Sequence, residues 1–190
     1  MAVEAALNHI HSVSRDFPGP FHSGEPQGVL WENSTPIVNT TQGLENWIYM
    51  WQGERISLQE EKFVFCHLDT ALKNMLYLPD GPICLLDWAS AGYYPRYFEL
   101  AAHLKKGKPD LLIEELLQSP RVPFTAREEK HFGVFMQACT NSMAYANPSS
   151  PIDRPYVERR YLAAQPSMPD MCWPEQRSSI NATPDTGSVH

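Results

Sequence analysis

The sequence predicts an α+β domain, mainly helical, with one β-hairpin near its centre. Three observations predict it. Apolar residues recur at helical spacing on both sides of residues 65–92. Inside that window two short apolar runs flank Pro79-Asp80-Gly81-Pro82, where Gly tolerates positive φ and Pro pre-sets its own. The chain is 43% hydrophobic over 190 residues, enough to bury the core of one ordinary domain.

Each element follows from its spacing. Val3, Leu7 and Ile10 share one face of a first helix. His9 and His11 stand two apart, so they do not form a helical metal pair. Residues 16–41 are rich in Pro, Gly and Ser and read as loop. Leu44, Trp47, Ile48 and Trp51 follow the i, i+3, i+4, i+7 pattern of an amphipathic helix, with Thr41 as its N-cap. Helices are also expected over 97–104 and over 111–117, the latter capped by Asp110. Thr125-Ala-Arg-Glu128 has the form of a capping box and opens a helix with Phe132, Phe135, Met136, Cys139 and Met143 on one face. Asn147-Pro148 ends it.

Composition excludes several functions. The net charge is −7, from 15 basic and 22 acidic residues, and no basic run marks a nucleic-acid partner. No apolar run reaches the 18 residues of a membrane span, and no signal peptide is legible, so a cytoplasmic protein is expected. The four cysteines match no zinc spacing; Cys66 and Cys84 lie in apolar runs and are expected as reduced core residues.

The chemistry lies at the hairpin's open end. Its strands are expected over 75–78 and 83–86. With Asp80 and Gly81 at the turn centre, Met75 faces Leu86 and Asn74 faces Asp87. An amide oxygen and a carboxylate side by side suit a hard cation such as Mg²⁺. Asp69 lies five residues before Asn74, and His67 two before Asp69. Four fixed residues at three fixed spacings arise by chance in roughly one chain in a thousand. Clustered carboxylates also serve metal-dependent hydrolases, which use more His and Asp ligands than this hairpin offers.

The pattern His67-x-Asp69-x4-Asn74, then Asp87, is similar to a kinase-type catalytic loop and metal hairpin. The stretch FVFCHLDTALKNMLYLPDGPICLLDWASAGYYPRYFELA resembles the core of the aminoglycoside phosphotransferase family, relatives of choline kinases and protein kinases. PGPFHSGEPQGVLW, residues 18–31, resembles the segment before that core in fungal members. The resemblance implies the C-terminal lobe of a protein-kinase-like fold over residues 1–147, with 12–41 mostly loop and 148–190 a loose Pro/Ser-rich tail. It implies Asp69 as catalytic base, Asn74 and Asp87 as Mg²⁺ and nucleotide ligands, and His67 as a structural loop histidine. Trp88 takes the place of the Phe in a protein kinase's Asp-Phe-Gly, Gly92 makes a turn, and Glu99 begins a helix packed under the loop.

One departure bears on activity. Only 66 residues precede His67, and their basic residues are Arg15, Arg55 and Lys62, none in a strand behind a glycine loop. The small N-terminal lobe with its phosphate-pairing lysine is therefore expected to be absent. Two functions stay open. One is phosphate transfer from ATP, with Mg²⁺, to the hydroxyl of a small molecule. The other is a non-catalytic remnant or binding module that associates through the uncapped lobe surface.

Overall fold

The computed structural model describes residues 2–22, 24–31, 38–79, 81–106 and 123–146. Asp80, the Asp110 cap, the helix expected over 111–117, the Asn147-Pro148 stop and the tail lie outside the described residues. Helix α1 is Ala2–Ser12, α2 Thr41–Gln52, α3 Tyr97–Lys105 and α4 Ala126–Ala146. A four-stranded antiparallel sheet has the order β1-β3-β6-β2, built from β1 Ser14–Arg15, β3 Phe63–Cys66, β6 Gly92–Pro95 and β2 Gly19–Pro20. Between β3 and β6 the chain runs through a 3₁₀ turn, Leu72–Asn74, into a hairpin of β4 Met75–Tyr77 and β5 Ile83–Leu85.

Helix α2 buries Leu44, Trp47, Ile48 and Trp51, the face its spacing predicts. Its N-cap is Thr40 rather than Thr41. Thr40 has extended backbone, and its hydroxyl accepts the Gly43 N–H at 3.0 Å. The buried faces of α2, α3 and α4 close on β3 and β6 around an aromatic centre. Trp31 packs against Trp47, Tyr94, Phe98 and Phe135, and Phe98 stacks on Phe135 at 3.8 Å between ring centroids. A second core joins Val3, Leu7 and Ile10 of α1 to Met75, Leu85 and Leu100. It fixes the hairpin against the rest of the molecule.

The capping box of α4 is reciprocal. The Glu128 N–H donates to the Thr125 hydroxyl at 3.2 Å, and the Thr125 N–H donates to the Glu128 carboxylate at 2.8 Å. Arg96 grips the same carboxylate with two bonds of 2.7 and 2.8 Å and also donates to the Pro123 carbonyl. The Arg96 hydrogen bonds, foremost, hold the Glu128 carboxyl below its ordinary value against the opposing effect of burial. Thr125→Ala is expected to lower unfolding free energy by about 1 kcal/mol, read from the urea midpoint.

The hairpin register differs by one residue from the expected pairing. Met75 pairs with Leu85, Leu76 with Cys84 and Tyr77 with Ile83. Gly81 stands at φ +91 and its N–H returns to the Leu78 carbonyl, while the Leu78 N–H donates to Pro82. The connection is therefore a three-residue loop closed by a left-handed glycine, not a two-residue turn. This register sends Met75 and Leu85 inward and turns Leu76 and Cys84 out, so Cys84 is exposed, not a core residue. Gly92 is likewise not a turn residue. It lies in β6, where a Cβ would come within 2.7 Å of the Gly19 carbonyl oxygen and 3.1 Å of the Pro20 Cα. Its lack of a side chain lets β2 pair.

Candidate functional site

The site hangs on the segment between β3 and the hairpin. Among the described residues, the non-glycine residues with positive φ are Leu68 and Asp87, both at 61°. Such backbone costs on the order of 1 kcal/mol or more and persists where the surroundings over-determine it. Glu99 supplies that constraint at Leu68. From the buried face of α3 its carboxylate accepts the His67 N–H at 2.8 Å and the Leu68 N–H at 3.1 Å, and it takes the Thr70 hydroxyl as well. Three donors of one loop thus converge on one acid.

His67 ties that loop to the end of the hairpin. The Asp69 N–H donates to its Nδ1 at 3.2 Å, which places the ring proton on Nε2, and Nε2 donates to the Leu86 carbonyl at 2.8 Å. The fully buried ring meets Trp88 edge-on at 4.6 Å. Trp88 stacks on Phe65 of β3 at 5.5 Å and 5°, and its Nε1 donates to the Leu85 carbonyl. The histidine is a brace, and the tryptophan seals the seam between β3 and the residue pair Leu86-Asp87.

Asp69 lies at the centre of a polar cluster. Its Oδ2 accepts Asn74 Nδ2 at 2.6 Å, and its Oδ1 meets Lys106 Nζ at 2.6 Å. Asn74 Nδ2 also donates to the Asp69 carbonyl at 2.9 Å, and Lys73 Nζ stands 3.8 Å from Oδ2. Burial pushes the Asp69 carboxyl up, but Lys106, Asn74 and Lys73 together outweigh it and hold the group below its ordinary value. Lys106 also reaches the Thr70 carbonyl at 3.3 Å, as does His103 Nδ1, so the end of α3 is bonded to the same loop.

The sign of the pH effect follows. Because the folded value is depressed, stability from these partners is complete above Asp69's ordinary value of 3.8 and is lost as pH falls through the depressed one. The gap in urea midpoint between the parent chain and Asp69→Asn is expected to hold steady above about pH 5 and to close in stronger acid.

Asn74 is buried, and its carbonyl accepts the Leu86 N–H at 2.8 Å. Asn74 therefore faces Leu86, and Asp87 lies one residue further on, not opposite Asn74. The structure brings Asp69 and Asn74 into direct contact and ties the segment that carries Asp87 to them through His67 and Leu86. The Asp87 side chain is exposed on its left-handed backbone. With the amide nitrogen of Asn74 spent on Asp69, its Oδ1 and the Asp87 carboxylate are oxygen donors of the kind a hard cation takes.

Beneath the loop, a ring nitrogen of His11, Cys66 Sγ and a Glu99 oxygen lie within 4.8 Å of one another. Glu99 is already committed to three donors of the loop. Burial, foremost, lowers the His11 pKa against the opposing pull of Glu99 and raises that of the Cys66 thiol. Through Glu99 the cluster serves as the loop's foundation. Sequence reasoning missed Thr70, Lys73 and Lys106. Lys73 has a signal, its position four residues after Asp69. Lys106 has none, because only the docking of α3 brings it to Asp69.

The profile of the Phosphotransferase enzyme family (APH) matches residues 3–131. Ethanolamine kinase 2 of Mus musculus is 35% identical over 57 residues, which is 30% of this chain and 15% of that protein. No solved structure matches the chain. The family match spans the catalytic-loop pattern, the hairpin and helix α3, and the chain belongs to the phosphotransferase enzyme family, which implies a protein-kinase-like fold.

Proposed function

We propose that the described residues form the C-terminal lobe of a protein-kinase-like phosphotransferase that moves the γ-phosphoryl group of ATP to the hydroxyl of a small molecule. One observation carries this reading. Asp69 is held ionised against Asn74, on a loop whose strained backbone is fixed from below by Glu99. An ionised carboxylate with a free face can take a hydroxyl proton. The hydroxyl oxygen bonds to the γ-phosphorus, the bond from that phosphorus to the β-phosphate oxygen breaks, ADP leaves, and the proton passes to Asp69. Asn74 Oδ1 and the Asp87 carboxylate would hold Mg²⁺, which supplies neutralising charge at the phosphates. Lys106 keeps Asp69 ionised, and Asn74 fixes the carboxylate's rotation. The likeness to an ethanolamine kinase supports a small alcohol as acceptor.

The test is ADP release from ATP and Mg²⁺ across a panel of small alcohols, with the phosphorylated product identified by mass spectrometry. One alcohol class is expected to give product and ADP in equal amounts. A folded chain that binds Mg²⁺-ATP but forms no product with any alcohol contradicts the reading.

A second reading, a partner-binding lobe, is favoured by one observation. Leu72, Leu76, Tyr77, Leu78 and Leu86 are all exposed within residues 72–86. If this face associates, sedimentation of the chain is expected to show dimers or larger species that Leu76→Asp returns to monomer.

A further inference from the structure

Three metal-ligating side chains gather where α1, β3 and α3 meet. His11 comes from the last turn of α1, Cys66 from the end of β3 and Glu99 from the first turn of α3. A ring nitrogen of the histidine, the thiol sulfur and a carboxylate oxygen all lie within 4.8 Å of one another. No spacing in the sequence shows this set, because each element supplies one member. Cys66 and Glu99 are buried, and His11 Nε2 is buried with no hydrogen-bond partner among the described residues. A buried ring nitrogen without a partner costs free energy, and it points to a ligand that restores one.

The other two members have capacity left. Cys66 Sγ meets the carbonyls of Val64, Tyr94 and Pro95 at 3.5, 3.7 and 3.9 Å, long contacts for a weak donor. Glu99 accepts three donors of the loop, and an ionised carboxylate has about four acceptor sites, so one remains. Nitrogen, sulfur and oxygen in one set suit Zn²⁺, whereas Mg²⁺ takes oxygen. In a tetrahedral zinc site such atoms lie about 3.4–3.6 Å apart, so small side-chain rotations close the set. A thiolate and a carboxylate balance the double charge of the ion, which lowers the cost of burying it. Arg96 also acts on His11, but its guanidinium is paired with the Glu128 carboxylate.

We propose that His11, Cys66 and Glu99 bind a structural Zn²⁺ ion beneath the loop that carries Asp69. The thiol proton passes to solvent as the sulfur–zinc bond forms, and the fourth tetrahedral position is left to a water. Glu99 holds the His67 and Leu68 N–H groups, so the ion fastens α1 to the loop through it. The site is separate from Asn74 and Asp87, whose donors are oxygens, and it does not depend on the phosphotransfer reading.

The test is titration of the full chain, reduced and stripped with a chelator, first with Co²⁺ as a spectroscopic probe and then with Zn²⁺. The chain is expected to take up Co²⁺ with the near-ultraviolet charge-transfer band of a thiolate ligand. Zn²⁺ should displace the Co²⁺ and remove the band, and excess Mg²⁺ should not. Cys66→Ser should abolish the band. His11→Gln should weaken Co²⁺ binding at least about a hundredfold, since loss of an outer-shell partner alone costs about ten- to a hundredfold. Asp87→Ala should leave the binding unchanged. Circular dichroism checks the fold of each variant, and His11→Gln decides alone if Cys66→Ser does not fold. A folded parent chain that gives no thiolate band overturns the proposal. So does a band that survives Cys66→Ser, which puts the ion on another cysteine, and so does Co²⁺ affinity that His11→Gln leaves unchanged. Displacement of Co²⁺ by Mg²⁺ marks an oxygen site and overturns it too.

Discussion

Replacing Glu99 with Ala is expected to cost about 3–5 kcal/mol of unfolding free energy, a large part of the total stability of a domain this size. The carboxylate is buried in α3 and is the acceptor for the His67 N–H, the Leu68 N–H and the Thr70 hydroxyl. Ala removes the acceptor and leaves those donors in an apolar core, each costing about 1–3 kcal/mol. It also releases the constraint that holds Leu68 at positive φ. Glu99→Gln keeps the shape and one oxygen, but its amide nitrogen faces backbone donors, so a loss of about 2 kcal/mol is expected. Urea unfolding of both variants reads the order directly. A Glu99→Ala chain as stable as the parent contradicts the loop's construction.

The second large effect falls on chemistry. Asp69→Asn is expected to lower kcat by about 10² to 10⁴ with an acceptor that turns over, because a neutral amide cannot take the hydroxyl proton. The affinity for Mg²⁺-ATP should change little, since the proposed ligands are Asn74 Oδ1 and Asp87. The variant also strands Lys106, whose 2.6 Å contact becomes a contact with a neutral oxygen, so some stability should be lost as well. A fall in kcat that accompanies an equal fall in nucleotide affinity would mark Asp69 as a ligand instead of a base.

Much of this architecture is legible in the sequence, where local pattern decides it. The α2 face, the Thr125–Glu128 capping box and the central hairpin each follow from residues close in sequence. The hairpin register does not. The same Pro79-Asp80-Gly81-Pro82 fits a two-residue turn or a three-residue loop, and the left-handed Gly81 selects the latter. That single slip displaces Asp87 from Asn74 and turns Cys84 outward. The four-stranded sheet was not legible either. β1 and β2 are two residues each, too short for alternation to show. At the site, His67, Asp69, Asn74 and Asp87 stand out by spacing. Lys106 belongs to the same cluster only because α3 docks beneath the loop through Glu99 and His103.

The central claim is that Asn74 and Asp87 make this hairpin a seat for metal-bound nucleotide. Calorimetric titration of the purified chain with Mg²⁺-ATP, beside Asp87→Ala, tests it most directly. The account predicts saturable, magnesium-dependent binding by the parent chain that Asp87→Ala abolishes while the fold, followed by circular dichroism, is retained. A folded parent chain that binds no Mg²⁺-ATP, or one whose binding survives Asp87→Ala, contradicts it.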